Sequence, residues 1–460
     1  MVPCLFWKQA NVKATKSGTS RSKAGAETSN LEELRKLVSP RAGIIRSLSK
    51  VFRGMEQPNP PVLYQAVLAH FDFIRSGPLE RGASGKGETD EEAMASAIGE
   101  AIEHYCAYHM DPGLLRMARW KDLSETAISP FEFVLYSDAQ YKREGFPLQS
   151  PGDNELGWVS GRELPEGKSV WVPASLVYLN YFPKPPEPQL CLGTSNGLAA
   201  GPNLESAMLN GLCELIERDA FLISWMNRLP SPLVDLSPLQ GMPRGIVQHY
   251  AHFGIEVLVF NITVDIPIHV MMAIAVDRSG RRPAAVVGLG CSLDPVRAIT
   301  KALTEVCQVY SGEMIGFGRP KDRKPVKSFP DIKTLEDHSA FFSRIEALDE
   351  MRFLLQAPRV QQIEVLPDYS RGSVQADLHF CMDALRSAGL RVVCVDLTTP
   401  DIKDFDLCVT RMLVTQLQPM HFGYGLERLG GKRLYQVPQL LGHSTTRSQA
   451  DINPCPHPLA

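Results

Sequence analysis

One segment of this chain is written three times. AMASAIGEAIE (93–103), AMLNGLCELIE (207–217) and AITKALTEVCQ (298–308) align without gaps. Each copy carries an alanine, a glutamate seven positions on, and a Glu or Gln three beyond that. A small residue recurs at the middle position: Ala97, Gly211 and Ala302. Each copy follows a helix-start signal. Thr89 with Glu92 predicts a capping box, Asn203 an N-cap, and Asp294-Pro295 an N-cap with proline at the first helical position. On a helix, Glu100 and Glu103 share a face, as do Glu214 and Glu217, and Glu305 and Gln308. Ser96 lies one turn before Glu100 on that face. A repeat of this kind constrains the fold more than composition does.

The acids stand in apolar surroundings: Ala-Ile follows Glu100, and Leu-Ile follows Glu214. A carboxylate buried there needs a partner. Only Arg218 is at hand locally, so convergence of the three helices would leave excess negative charge. Hard cations are the natural compensation, and Mg²⁺ commonly shares oxygen ligands with nucleotide phosphates. Glycine-rich segments precede two of the helices, as Gly85-Lys86-Gly87 and within TSNGLAAGP. A loop opening a helix can cradle phosphate through backbone N–H groups and the positive helix end. Neither is a P-loop, since G-x-x-x-x-G-K-[ST] is absent. The plainer alternative is three solvated faces on a duplicated scaffold.

The surrounding chain mixes helix and strand patterns, which predicts an α+β (mixed α/β) class. Segments 255–263, 268–277, 284–289, 390–397 and 407–414 read as strands, rich in β-branched residues. Segments 341–354 and 373–389 read as helices, as does 31–51 apart from a break at Ser39-Pro40. Segment 81–87, RGASGKG, reads as a loop. Residues 145–190 read as short strands among Pro and Gly, and the last ten residues as irregular. Residues 1–28 are polar and positively charged, and read as a disordered extension before a domain over 29–460. The net charge of −3 over 460 residues gives no basic field for nucleic acid. No apolar run is long enough for a membrane span, and the cytoplasm is the expected compartment. Ten cysteines without a C-x-x-C pair argue against a zinc ribbon or a disulfide scaffold, and suit buried thiols.

Together the three helices, the GKG segment and the SNG segment resemble the YcaO family. The resemblance spans about Leu31 to Ala460. It implies a YcaO-type fold with mixed sheets, in which three related helices build an ATP site with Mg²⁺. It implies nucleotide contacts for Lys86, Ser96, Ser195, Asn196, Arg218 and Gln308. It implies Mg²⁺ ligation by Glu100, Glu103, Glu214, Glu217 and Glu305. The chain departs from the family pattern at His104, where an arginine is usual, and at Pro202 and Ser206. Pro454, Pro456 and Pro458 match the P-x-P-x-P ending of azoline-forming members, whose terminal carboxylate, here on Ala460, would lie at the active site. Alternate prolines favour an extended, low-entropy tail. His457 lies inside it.

The implied activity is ATP-dependent cyclodehydration of Cys, Ser or Thr in a ribosomally made precursor peptide. A ThiF-like or leader-binding partner is implied as well, and a homodimer is left open. The alternatives are thioamide or amidine formation by the same amide activation, or a non-catalytic nucleotide-binding subunit.

Overall fold

The computed structural model describes residues 31–71, 82–317, 326–356, 359–443 and 448–459. The predicted disorder of 1–28 and the terminal residue Ala460 lie outside these. The three repeats form helices α1 (Asp90–Tyr108), α2 (Leu204–Met226) and α3 (Pro295–Phe317). Asn203 caps α2 by accepting Ser206 N–H, and Asp294 accepts from Val296 and Arg297. At α1, Thr89 accepts Glu92 N–H, but the Glu92 carboxylate turns back to Glu88 N–H, so only half of the predicted capping box forms.

Strands assemble into three sheets. An antiparallel sheet holds β1 (Ile45–Lys50), β2 (Val62–Leu68) and β3 (Gly82–Gly87) in sequence order. A second has the order β4-β5-β13-β14-β7, from β4 (Arg116–Arg119), β5 (Glu155–Leu164), β13 (Val392–Asp396), β14 (Cys408–Val414) and β7 (Leu198–Gly201), with β6 (Lys168–Pro173) paired to β5. A third runs β11-β10-β9-β8-β12, from β8 (Leu233–Val234), β9 (Glu256–Asn261), β10 (His269–Val276), β11 (Ala285–Ser292) and β12 (Val360–Gln361). Strands β10 and β11 are buried at every position, which is why they read as unbroken apolar runs.

Each repeat helix follows a strand by the same short turn: β3 into α1, β7 into α2 and β11 into α3. The small middle residues now have a reason. Strand β3 crosses α1 so closely that a Cβ at Gly85 would stand 2.1 Å from Ala97 N. A Cβ at Gly290 of β11 would stand 2.1 Å from Ala298 O and 2.5 Å from Ala302 N of α3. In α2, a Cβ at Gly211 would stand 2.9 Å from Gly197 O, just before β7. Only small residues on both surfaces allow backbone to approach backbone this closely.

Three expectations fail in whole or in part. Segment 82–87 is a strand, not a loop; its glycines are chosen by the crossing with α1 rather than by strand propensity. The predicted helix over 31–51 keeps only a turn and a half at 31–35, while Ile45–Lys50 pairs with β2 as a strand. The segment 341–354 is helical only in pieces: α4 (Leu335–Phe342), a 3-10 stretch over Ile345–Met351, and a single α turn. The second predicted helix is present as α5 (Val374–Ser387). All nine described cysteines are free, and eight are buried. No helix among the described residues is long and apolar enough to cross a membrane.

Candidate active site

The three repeat helices converge on one cleft of about 960 Å³. Helix α1 contributes Ser96, Glu100, Glu103 and His104; α2 contributes Asn210, Glu214 and Arg218; α3 contributes Glu305, Gln308 and Glu313. Strand β3 adds Ser84 and Lys86, and the segment entering β7 adds Ser195. Nine of the eleven side chains assigned to nucleotide or Mg²⁺ from the sequence therefore line a single space, the exceptions being Glu217 and Asn196.

The carboxylates are braced by backbone. Ser84 N–H donates to Glu100 Oε2 at 3.2 Å, Ala200 N–H to Glu103 Oε1 at 2.7 Å, and Gly197 N–H to Glu214 Oε2 at 3.2 Å. Lys86 Nζ lies 3.6 Å from Glu305 Oε2. Gln308 donates its amide to Ser84 Oγ. Glu217 is buried behind the cleft wall, with Arg218 Nη1 3.4 Å from its Oε1. Asn196 is buried too, in an adjoining cavity of about 60 Å³, and its carbonyl accepts from Arg411.

Cation and anion do not balance here. Burial, aided by the charges of Glu214 and Glu305, pushes Glu100 up to about 7. Burial with the Glu100 and Glu214 charges raises Glu103 well above the ordinary carboxylate range. Glu214 is raised by burial, although Arg218 and the Gly197 N–H pull the other way. Glu217 rises to about 7 by burial, offset in part by Arg218. Burial alone would lower Arg218, but Glu217, Glu214 and Glu305 outweigh it and leave its pKa raised. A raised carboxylate pKa is a stored electrostatic cost, one that a cation would remove.

This donor set fits Mg-nucleotide. Among the described residues, no group of three or more His, Cys, Asp or Glu side chains is arranged to hold a metal ion by itself. Mg²⁺ does not need such a cage when phosphate oxygens and water complete its shell. Arg218 Nη1 is buried without a hydrogen-bond partner, despite its closeness to Glu217, and so is a donor left for an anion.

The proline-rich tail is buried from Ile452 to Leu459, apart from Pro454. It packs along α2: Trp225 Nε1 donates to Cys455 O at 2.9 Å, and Asn453 N–H to Met226 O at 2.8 Å. The His457 ring lies 5.9 Å from that of Phe221, which is three residues beyond Arg218. His457 is no base at the cleft: burial holds it well below the ordinary histidine range, and its Nε2 bonds His421 O.

The family model described as YcaO cyclodehydratase, ATP- and Mg²⁺-binding, matches residues 84–418. The chain belongs to the YcaO family. An uncharacterized protein of Methanothermobacter thermautotrophicus is 31% identical over 356 residues, covering 75% of this chain and 84% of that protein. A solved heterocyclase in complex with substrate and cofactor is 28% identical with a TM-score of 0.79, covering 94% of this chain. The chain spans only 57% of that heterocyclase's length. The YcaO protein of Methanopyrus kandleri bound with AMPPCP and Mg²⁺ shares the fold, at 21% identity and a TM-score of 0.60, covering 85% of this chain and 91% of that one. The cofactors of this YcaO protein are ATP and Mg²⁺.

Some residues of the cleft and of the cavity adjoining it carry no individual signal in the sequence. Asn210 could have been found from the repeat, since it stands one turn before Glu214 as Ser96 stands before Glu100. Arg411 could not. It is buried within β14 and donates to the carbonyls of Val177, Thr194 and Asn196, thereby shaping the segment that presents Ser195.

Proposed function

We propose that this YcaO protein is an ATP-dependent cyclodehydratase that converts Cys, or Ser or Thr, of a ribosomally made precursor peptide into thiazoline or oxazoline. The observation that carries the reading is the burial of the P-x-P-x-P tail along α2, the helix that brings Glu214 and Arg218 to the cleft. In the proposed reaction the substrate thiol or hydroxyl adds to the preceding backbone carbonyl. The resulting oxyanion takes the γ-phosphoryl group of ATP. Phosphate then leaves with the former amide oxygen, the amide nitrogen forms the ring C=N bond and loses its proton, and ADP remains.

Mg²⁺, when bound, offsets the charge that spreads over the phosphoryl oxygens. Glu100, Glu103, Glu214 and Glu305 would hold it from the cleft wall, with Glu217 supporting Arg218 from behind. Lys86 and Arg218 would pair with phosphate oxygens, and Ser96, Ser195 and Gln308 with the remainder of the nucleotide. Asn196 would act through its backbone, by fixing the Ser195 segment. The tail, ending at Ala460, would orient the attacking nucleophile. A leader-recognition protein of the ThiF-like kind would deliver the peptide.

The test is incubation with ATP, Mg²⁺, a Cys- or Ser-rich precursor and the candidate partner, followed by mass spectrometry. Each ring removes the mass of one water and releases one phosphate. A gain in mass by exchange of oxygen for sulfur would instead mean thioamide formation, and phosphate release without any peptide change would reject peptide modification.

A further inference from the structure

An irregular buried segment must still satisfy its backbone polar groups. In the tail, Pro454, Pro456 and Pro458 have no N–H to satisfy, which leaves the carbonyls between them. Two ring N–H groups take these in alternation. Trp225 Nε1 donates to Cys455 O at 2.9 Å, and His338 Nδ1 lies 2.7 Å from His457 O. His338 belongs to α4, and its Nε2 is 3.2 Å from Gly423 N. A carbonyl can only accept and a backbone N–H can only donate. The imidazole is therefore neutral, with its proton on Nδ1 and a lone pair on Nε2. The His338 ring also stacks on that of His457, at 4.2 Å and 22°.

We propose that His338 is a positioning residue for the C-terminal tail: its bond to His457 O, locked by Gly423 N–H and acting with the bond of His457 Nε2 to His421 O, sets how far the tail runs along α2 toward Arg218. The Trp225 contact holds the tail two residues earlier; at His457 the ring Nε2 bonds His421 O at 2.8 Å, and His338 holds the backbone carbonyl of the same residue. The catalytic consequence rests on the cyclodehydratase reading, while the structural part does not.

The experiment uses the full chain in four forms: unchanged, His338→Leu, His338→Asn and His338→Gln. The side-chain amide of Asn sits near the position of Nδ1, and that of Gln near Nε2. Three quantities are read: hydrogen–deuterium exchange in peptides covering 448–460, the kcat and KM of ring formation, and ATP affinity. Losing one buried hydrogen bond should raise tail exchange in His338→Leu roughly tenfold. The kcat of ring formation should fall by a similar factor, with ATP affinity unchanged. His338→Asn should recover most of both losses, and His338→Gln should not. Unchanged tail exchange in His338→Leu overturns the proposal. So does a loosened tail with normal ring formation, if deleting 454–460 abolishes that activity. If the deletion itself leaves ring formation intact, the tail's catalytic role fails and exchange alone decides the role of His338. Should His338→Leu not fold, equal tail exchange in the Asn and Gln forms overturns it.

Discussion

Glu100→Gln should make the ligand-free protein more stable at neutral and alkaline pH while abolishing nucleotide turnover. The carboxyl is pushed from 4.5 to about 7, first by burial and then by the nearby charges of Glu214 and Glu305. Ionising it in the folded chain rather than the unfolded one therefore costs about 3 kcal/mol above pH 7. The sign follows from proton uptake. Between pH 4.5 and 7 the folded state binds the proton that the unfolded state has lost, so the native chain loses stability as pH rises through 7. From pH 5 to pH 8 the Glu100 contribution is about 2.5 kcal/mol. Glutamine keeps an oxygen for Ser84 N–H and removes only the charge. The assay is urea unfolding at pH 5 and pH 8, with chelator present, for both proteins. The difference between them cancels His104 and His421, whose buried rings are lowered to about 4 and about 3 and give stability the opposite slope below pH 6.5. Equal slopes in the two proteins, or a Gln form less stable at pH 8, would refute the claim that charge is stored at Glu100.

Glu217→Gln should abolish nucleotide turnover with the fold intact, judged by circular dichroism and phosphate release; full activity would remove Glu217 and its pairing with Arg218 from the site. Gly85→Ala should cost about 1–3 kcal/mol and weaken ATP binding, because the added methyl meets the α1 backbone at Ala97; denaturation with nucleotide titration checks both. Arg433→Met should cost about 3–5 kcal/mol, since it leaves Asp219 of α2 buried without its cationic partner. Thermal unfolding measures it, and a neutral result would mean that the pair does not hold α2 in place.

Much of the site was legible because the repeat preserves its register. Alignment alone put Glu100, Glu214 and Glu305 at one helical position, and the fold brings that position to one cleft. Strands β10 and β13 were legible because burial on both faces writes continuous apolar runs. Strand β3 was not, because GASGKG follows the space available against α1 rather than any β preference. Ile45–Lys50 misled through its spacing: Ile, Leu and two serines suit a helix face as well as a half-buried strand, and pairing with β2 decides. Glu217 was assigned to metal from its place three residues after Glu214; it is buried, pairs with Arg218, and is not among the side chains lining the cleft.

The three strand–helix units supply one wall each, and none encloses anything alone. A nucleotide seated there would touch parts of the molecule lying far apart along the chain, acting as a clasp. Its stabilising effect should therefore spread over the whole domain, slowing exchange at β3, β7 and β11 together instead of protecting one loop.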